Sequence, residues 1–207
     1  MEKQVEYKLG ILAFGSLIDS PRNEISVLEI ARIECITPFN VEFARISSTR
    51  GNAPTLIPVK QGGCKVKAKI IVLREDTDIE AAKSVLWRRE TGKTGKYTHT
   101  DNSNPNKLSV KTIENFMNVQ KILYASFGCN INETLSSELL ANFAIESILT
   151  KAGQEEKDGL RYLLSIKQNG IITELSEEYE KKILEITNTN SLEQAIEKLD
   201  IQRNVNI

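Results

Sequence analysis

The stretch that decides the fold is Tyr7-Lys8-Leu9-Gly10-Ile11-Leu12-Ala13-Phe14, an apolar run that ends at Gly15-Ser16 and is soon followed by Asp19, Pro21 and Asn23. Its length and turn-forming boundary predict a buried strand opening into a loop. Downstream, the segment from Val41 to Ser48 alternates large apolar and polar side chains before Arg50-Gly51-Asn52, the pattern of a strand with one buried face. Thr55 to Lys60 reads as another strand. Cys64, Val66, Ala68, Ile70 and Val72 alternate with Lys65, Lys67, Lys69 and Ile71. Gly62-Gly63 before them supplies positive φ for a reversal, so a hairpin is expected there. A further apolar strand is expected at 122–127, after a polar, Asn-rich loop at 102–106.

Asp76-Thr77-Asp78 offers capping oxygens and negative charge where a helix dipole is positive, so a helix is expected from there to Glu90 or Thr91, stopped by Gly92 and Gly95. Beyond Asn132 the pattern is helical only. One helix carries Leu135, Leu139, Leu140, Phe143 and Ile148; a second carries Leu160, Leu163 and Leu164 before Gly170; two more are expected to be capped by Ser176 and Ser191. The expectation is an α+β chain with a domain over 1–130 and a helical C-terminal region over 131–207.

A length of 207 residues suffices for one domain with a large core, or for a catalytic domain with a helical appendage. Lys and Arg number 27 against 28 Asp and Glu, a formal net charge of -1, so no field draws nucleic acid or an anionic membrane, and neither is an expected partner. The opening Met1-Glu2-Lys3-Gln4-Val5-Glu6 lacks the apolar run of a signal peptide, and no stretch approaches the roughly 18 apolar residues of a membrane span. A cytoplasmic location is expected. Cys35, Cys64 and Cys129, odd in number and far apart, suit reduced thiols, and with His99 the single histidine no zinc site is expected.

On the 79–90 helix, Ile79, Ala82, Leu86 and Glu90 fall within roughly 80° of one another, which puts a carboxylate in line with the apolar stripe. Either the helix frays and Glu90 turns to solvent, or Glu90 is a partly desolvated proton carrier. Gly15-Ser16-Leu17 follows a strand directly; it either makes a simple turn or lets backbone N–H groups approach an anion or a developing oxyanion. Ser16 lacks the glycine two residues on that a nucleophile elbow requires. Cys129 and His99 are conceivable as a thiol catalyst, with a small buried hydrophobe the alternative for Cys129. Gly92-Lys93-Thr94-Gly95-Lys96 lacks the spacing of a phosphate loop and follows a helix, so it reads as a connecting turn.

Three segments together resemble the gamma-glutamylcyclotransferase family, most closely its ChaC-like branch. Phe14-Gly15-Ser16-Leu17-Ile18 with Pro21 is similar to the family's Tyr-Gly-Ser-Leu-Ile loop. The run from Phe43 through Arg45, Ser47 and Arg50-Gly51 to Pro54 is similar to its Phe/Arg/Ser strand and Arg-Gly turn. Arg89-Glu90 with Gly92, Gly95 and Tyr97 is similar to its Arg-Glu pair, glycines and tyrosine. The match covers about residues 10–100. It implies a small mixed β-barrel with flanking helices and a pocket for a gamma-glutamyl small molecule. It also implies substrate binding by Phe14, Gly15, Ser16, Leu17 and Ile18, Glu90 as catalytic acid/base, and no cofactor or metal. Arg50 or Arg89 is a candidate partner for a substrate carboxylate, with a structural ion pair as the alternative, and Tyr97 either closes the pocket or packs the core. The chain departs from the family at Phe14, which stands where a tyrosine is usual, and in the longer loop after Glu90.

Overall fold

A computed structural model describes residues 6–99 and 104–205, so Asn102 and Ser103 of the expected polar loop lie outside the described residues. The strands are β1 (Tyr7–Ala13), β2 (Glu29–Ile36), β3 (Asn40–Ser47), β4 (Ala53–Val59), β5 (Lys67–Leu73), β6 (Ser109–Phe116) and β7 (Val119–Ser126). The helices are α1 (Asn23–Ser26), α2 (Ile79–Thr91), α3 (Ser137–Ile148), α4 (Lys151–Gln154), α5 (Gly159–Gln168), α6 (Ser176–Thr187) and α7 (Leu192–Val205). The protein is therefore α+β. It forms two compact units, one of the chain up to Thr37 with Lys67–Gly128, the other of Pro38–Val66 with Cys129–Ile207. The sequence division at residue 130 keeps 38–66 with the first part; in the structure that segment belongs with the helices.

The first unit is built on a five-stranded sheet in the order β2-β5-β1-β7-β6, with β1 antiparallel to β5 and parallel to β7. Central position explains why Ile11, Ile70, Ile71 and Val72 are fully buried: β1 and β5 each have a strand on both sides. Among the described residues this sheet is open, ending at β2 and β6, and the β3–β4 pair is a separate two-stranded ribbon. The closed barrel that the resemblance implies is absent from these strands. The expected hairpin at Gly62-Gly63 is also corrected. Both glycines have positive φ, 66° and 62°, but beyond the turn only Cys64 bridges back, to Val41, and β5 pairs with β2 and β1 instead of β4. An apolar run as continuous as Ile70-Ile71-Val72 needs cover on both faces, which a two-stranded hairpin does not supply.

β2 and β6, which the sequence reading did not anticipate, are the two edge strands. β6 turns into β7 through Met117-Asn118, both at positive φ (52° and 60°), the geometry of a two-residue hairpin turn that follows the strand twist.

In the second unit β3 pairs with β4 from Asn40↔Val59 to Ser47↔Ala53, with a bulge between Phe43 and Arg45. The expected half-buried strand is instead buried over Val41, Glu42, Phe43 and Ala44. Phe43 meets Tyr162 and Tyr179 edge-on, at ring-centre distances of 6.3 and 5.2 Å. Glu42 is tolerated inside because its carboxylate is paired: Oε1 accepts from Thr173 Oγ1 (2.6 Å) and Phe43 N (2.8 Å), and Oε2 from Leu175 N (3.3 Å). Burial nonetheless pushes its carboxyl above the usual range, with Glu174 adding to the effect.

The helix caps follow the sequence in part. Ser136, Asp158 and Ser191 each accept a backbone N–H of the first turn of α3, α5 and α7. Ser176 does not cap α6. It is the first helical residue, after Leu175 at the cap position, and its Oγ accepts from Thr173 N at 2.8 Å, fastening the loop that holds Glu42.

Candidate functional site

The candidate site lies wholly in the first unit, where α2 and the loop after β1 meet. α2 is fixed at both ends by local chemistry. Asp78 accepts from Ala81 N at 2.9 Å, and Gly92, at φ 67°, lets its N–H close on Arg88 O at 2.9 Å. Ala82, Val85 and Leu86 are buried beneath the helix, so its last turn is held against the protein instead of fraying. Glu90 is accordingly half-buried, its side chain 18% exposed, close to the position that its alignment with the apolar stripe implies.

Arg89, with a side chain 11% exposed, joins the helix to the loop. Its Nη1 donates to Glu90 Oε1 at 2.6 Å, while Nη2 donates to Ser16 Oγ at 3.3 Å and to Ser20 O at 2.9 Å. Its Nε makes a further bond to Ser20 O at 3.1 Å. One planar guanidinium thus spaces the carboxylate from the serine hydroxyl, using the fork of donors that a lysine lacks. The loop is held from another side by Arg32, whose Nη1 donates to Ile18 O at 2.7 Å. Gly15, at φ 70°, makes the sharp departure from β1 that a residue with a Cβ resists.

Of the loop residues, Ser16 reaches Arg89 and Phe14 is half-buried, whereas Leu17 and Ile18 are each 4% exposed and pack into the interior. Leu17 can therefore offer a ligand its backbone but little side chain, whereas Ile18 offers little of either, because its N–H donates to Gly15 O at 3.1 Å and its carbonyl accepts from Arg32. The helix end is tied down by Arg88, which forms an ion pair with Glu24 of α1 and donates to Gly95 O at 2.8 Å. That pairing holds the Glu24 carboxyl below its ordinary range. The Gly92–Lys96 turn continues to Tyr97, whose N donates to Ser84 Oγ of α2 at 3.1 Å and whose hydroxyl accepts from Val110 N of β6 at 3.0 Å. His99 Nδ1 lies 3.3 Å from the same hydroxyl.

Arg50, the other arginine considered for a substrate carboxylate, belongs to the second unit; its guanidinium lies 4.6 Å above the Tyr162 ring and donates to Lys157 O. Cys129 Sγ is directed at Ile131 O, 3.5 Å away. The sequence named Arg89 as a candidate but gave no sign of its joint grip on Ser16, Ser20 and Glu90. Nor did it single out Glu24 or Arg32, whose signal is only a charged residue beside an apolar one. Compared with protein-family models, with curated proteins and with solved structures, the chain matches none. Among the described residues, no helix is long and apolar enough to cross a membrane.

Proposed function

We propose that the chain is an enzyme of the gamma-glutamylcyclotransferase type, releasing 5-oxoproline from a gamma-glutamyl amide. The resemblance of three ordered segments motivates the reading. The observation that carries it is the Glu90–Arg89–Ser16 chain of contacts, which gathers residues of two of those segments at one place. In the reaction Glu90 takes a proton from the substrate's α-ammonium, and the freed amine attacks the γ-carbonyl, forming the ring C–N bond. Collapse breaks the original amide C–N bond as the proton held by Glu90 passes to the departing nitrogen, and the second proton, lost by the ring nitrogen as it becomes the lactam N–H, leaves with the amine as its ammonium, so no electrons or further reactants are needed. Ser16 and the backbone around Gly15 hold the gamma-glutamyl group in its ring-closing pose. Arg89 keeps the carboxylate aimed from the end of α2.

One observation favours a second reading, a ligand-binding or regulatory protein without turnover: Arg89 already neutralises Glu90, so an ammonium substrate must compete with a fixed guanidinium. Release of 5-oxoproline, followed by mass spectrometry over gamma-glutamyl amino acids, gamma-glutamylamines and glutathione, decides between them. Wild type should turn over at least one substrate, and Glu90→Gln should lower the rate roughly 10²- to 10⁴-fold. A folded wild type that releases none of the product leaves the binding reading.

A further inference from the structure

β2 is not a regular strand. It pairs with β5 at Glu29↔Leu73, then at Ala31↔Val72 and Arg32↔Ile71, so the register shifts between Glu29 and Ala31 and Ile30 is the extra residue of a β-bulge. The shift changes direction as well as count. In a regular strand two side chains three positions apart, as Glu29 and Arg32 are, point to opposite faces; the extra residue brings these two to the same one. Ile30 itself gains little by packing, since it is 51% exposed.

The two side chains use that alignment. Arg32 Nε donates to Glu29 Oε1 at 2.7 Å and Nη2 to Glu29 Oε2 at 3.0 Å, a bidentate pair that fixes the plane of the guanidinium. Its Nη1 then reaches the loop after β1 and donates to Ile18 O at 2.7 Å. Asp19, the next residue of that loop, attracts the same guanidinium. An ion pair whose side chains are 33% and 22% exposed adds little to stability by itself. Stability alone thus gives no reason to interrupt the edge ladder, whereas a bulge beside a functional site re-aims a side chain.

The loop so reached carries Ser16. It is a compact turn, with Ile18 N donating to Gly15 O at 3.1 Å and Ser20 N to Ser16 O at 3.0 Å. Two arginines grip it on carbonyls two residues apart: Arg32 of β2 on Ile18 O, and Arg89 of α2 on Ser20 O. Arg89 sets the loop relative to Glu90, and Arg32 sets it relative to the sheet. We propose that Glu29 and Arg32 are positioning residues for the candidate site, aimed by the β2 bulge so that Arg32 holds the Ser16 loop where the gamma-glutamyl group closes its ring. Neither touches the substrate. The catalytic use of this brace rests on the gamma-glutamylcyclotransferase reading; the brace itself is a property of the loop.

Two measurements on the full chain test it, with circular dichroism to establish that each variant is folded. In amide exchange, the Ile18 and Ser20 amides of wild type should be protected, and Arg32→Gln should release them roughly tenfold or more while the β1 amides keep their protection. In 5-oxoproline release, Arg32→Gln should lower kcat roughly 10- to 100-fold and change KM less, as loss of a ring-closing pose does. Glu29→Gln, which leaves Arg32 its bond to Ile18 O but loosens its plane, should shift both readouts in the same direction by less. Glu34→Gln removes a carboxylate of the same strand that stands outside the brace and should match wild type. Loop amides that ignore Arg32→Gln, exchange that quickens equally through β1, a rate unchanged despite a loosened loop, or a Glu34→Gln that behaves like Arg32→Gln would each overturn the proposal. A wild type that releases no 5-oxoproline overturns the reaction and with it the catalytic use of the brace, while loop exchange decides the brace separately.

Discussion

Alanine placed at Gly62 and, separately, at Gly63 separates two costs that usually arrive together. Both residues lie in the left-handed region, at φ 66° and 62°, so an alanine at either carries the same penalty of about 1–2 kcal/mol. Their surroundings differ. A Cβ on Gly62 would meet only Glu174 Oε2, at an ordinary 3.8 Å, whereas a Cβ on Gly63 would sit 2.6 Å from Val41 O and 3.0 Å from Val41 C. Those are backbone atoms and cannot swing aside. Relief requires the bridge between Cys64 and Val41 to open, with loss of the bonds Val41 N to Cys64 O (2.8 Å) and Cys64 N to Val41 O (3.3 Å). At about 0.5–1.5 kcal/mol for each bond, Gly63→Ala should cost roughly 1–3 kcal/mol more than Gly62→Ala. For a chain of this length that separates the two melting temperatures by roughly 4–8 °C at the middle of the range. Urea and thermal unfolding of both variants measure it; equal losses would refute the steric argument and leave φ alone as the cause.

Two further outcomes follow from the second unit. Glu42 has a folded pKa raised above its ordinary 4.5, so its contribution is fully present below that value and is lost as pH rises through the raised one. Glu42→Gln, which cannot ionise, should therefore gain stability relative to wild type between pH 4.5 and neutrality; a difference in unfolding free energy that stays flat with pH would count against the assignment. Asp158 is fully buried, caps α5 and pairs with Arg161, which also reaches Asp200. Asp158→Ala removes the cap and leaves Arg161 with one carboxylate, a loss of about 2–4 kcal/mol in urea unfolding; a loss below about 1 kcal/mol would show that Asp200 alone suffices.

The parts legible in the sequence are those written by local chemistry. α2 can be read between Asp78 and Gly92 because a cap and a left-handed stop act within a few residues. β1 can be read because a fully buried strand is a continuous apolar run. β2 and β6 escape notice because edge strands keep polar side chains such as Arg32, Glu34, Lys111 and Glu114 among few apolar ones. Periodicity identifies β5 as a strand but says nothing of its neighbours, hence the misplaced hairpin. Glu42 looks outward in an alternating pattern, and its burial depends on Thr173, 131 residues away. The same holds at the candidate site, where Ser16 and Arg89 are separately visible but their bond spans 73 residues.

The membership of the β3–β4 ribbon has a consequence in time. Its Phe43 is fully buried, with Tyr162 and Tyr179 against its ring. During synthesis those tyrosines follow after about 120 residues or more, which at roughly 5–20 residues per second takes some 6–24 s. For that interval the nascent ribbon has a strand sequence, an apolar face and no helices to cover it. It is then at its most exposed to misassociation and to capture by chaperones, and slowing translation downstream of residue 66 lengthens the exposure.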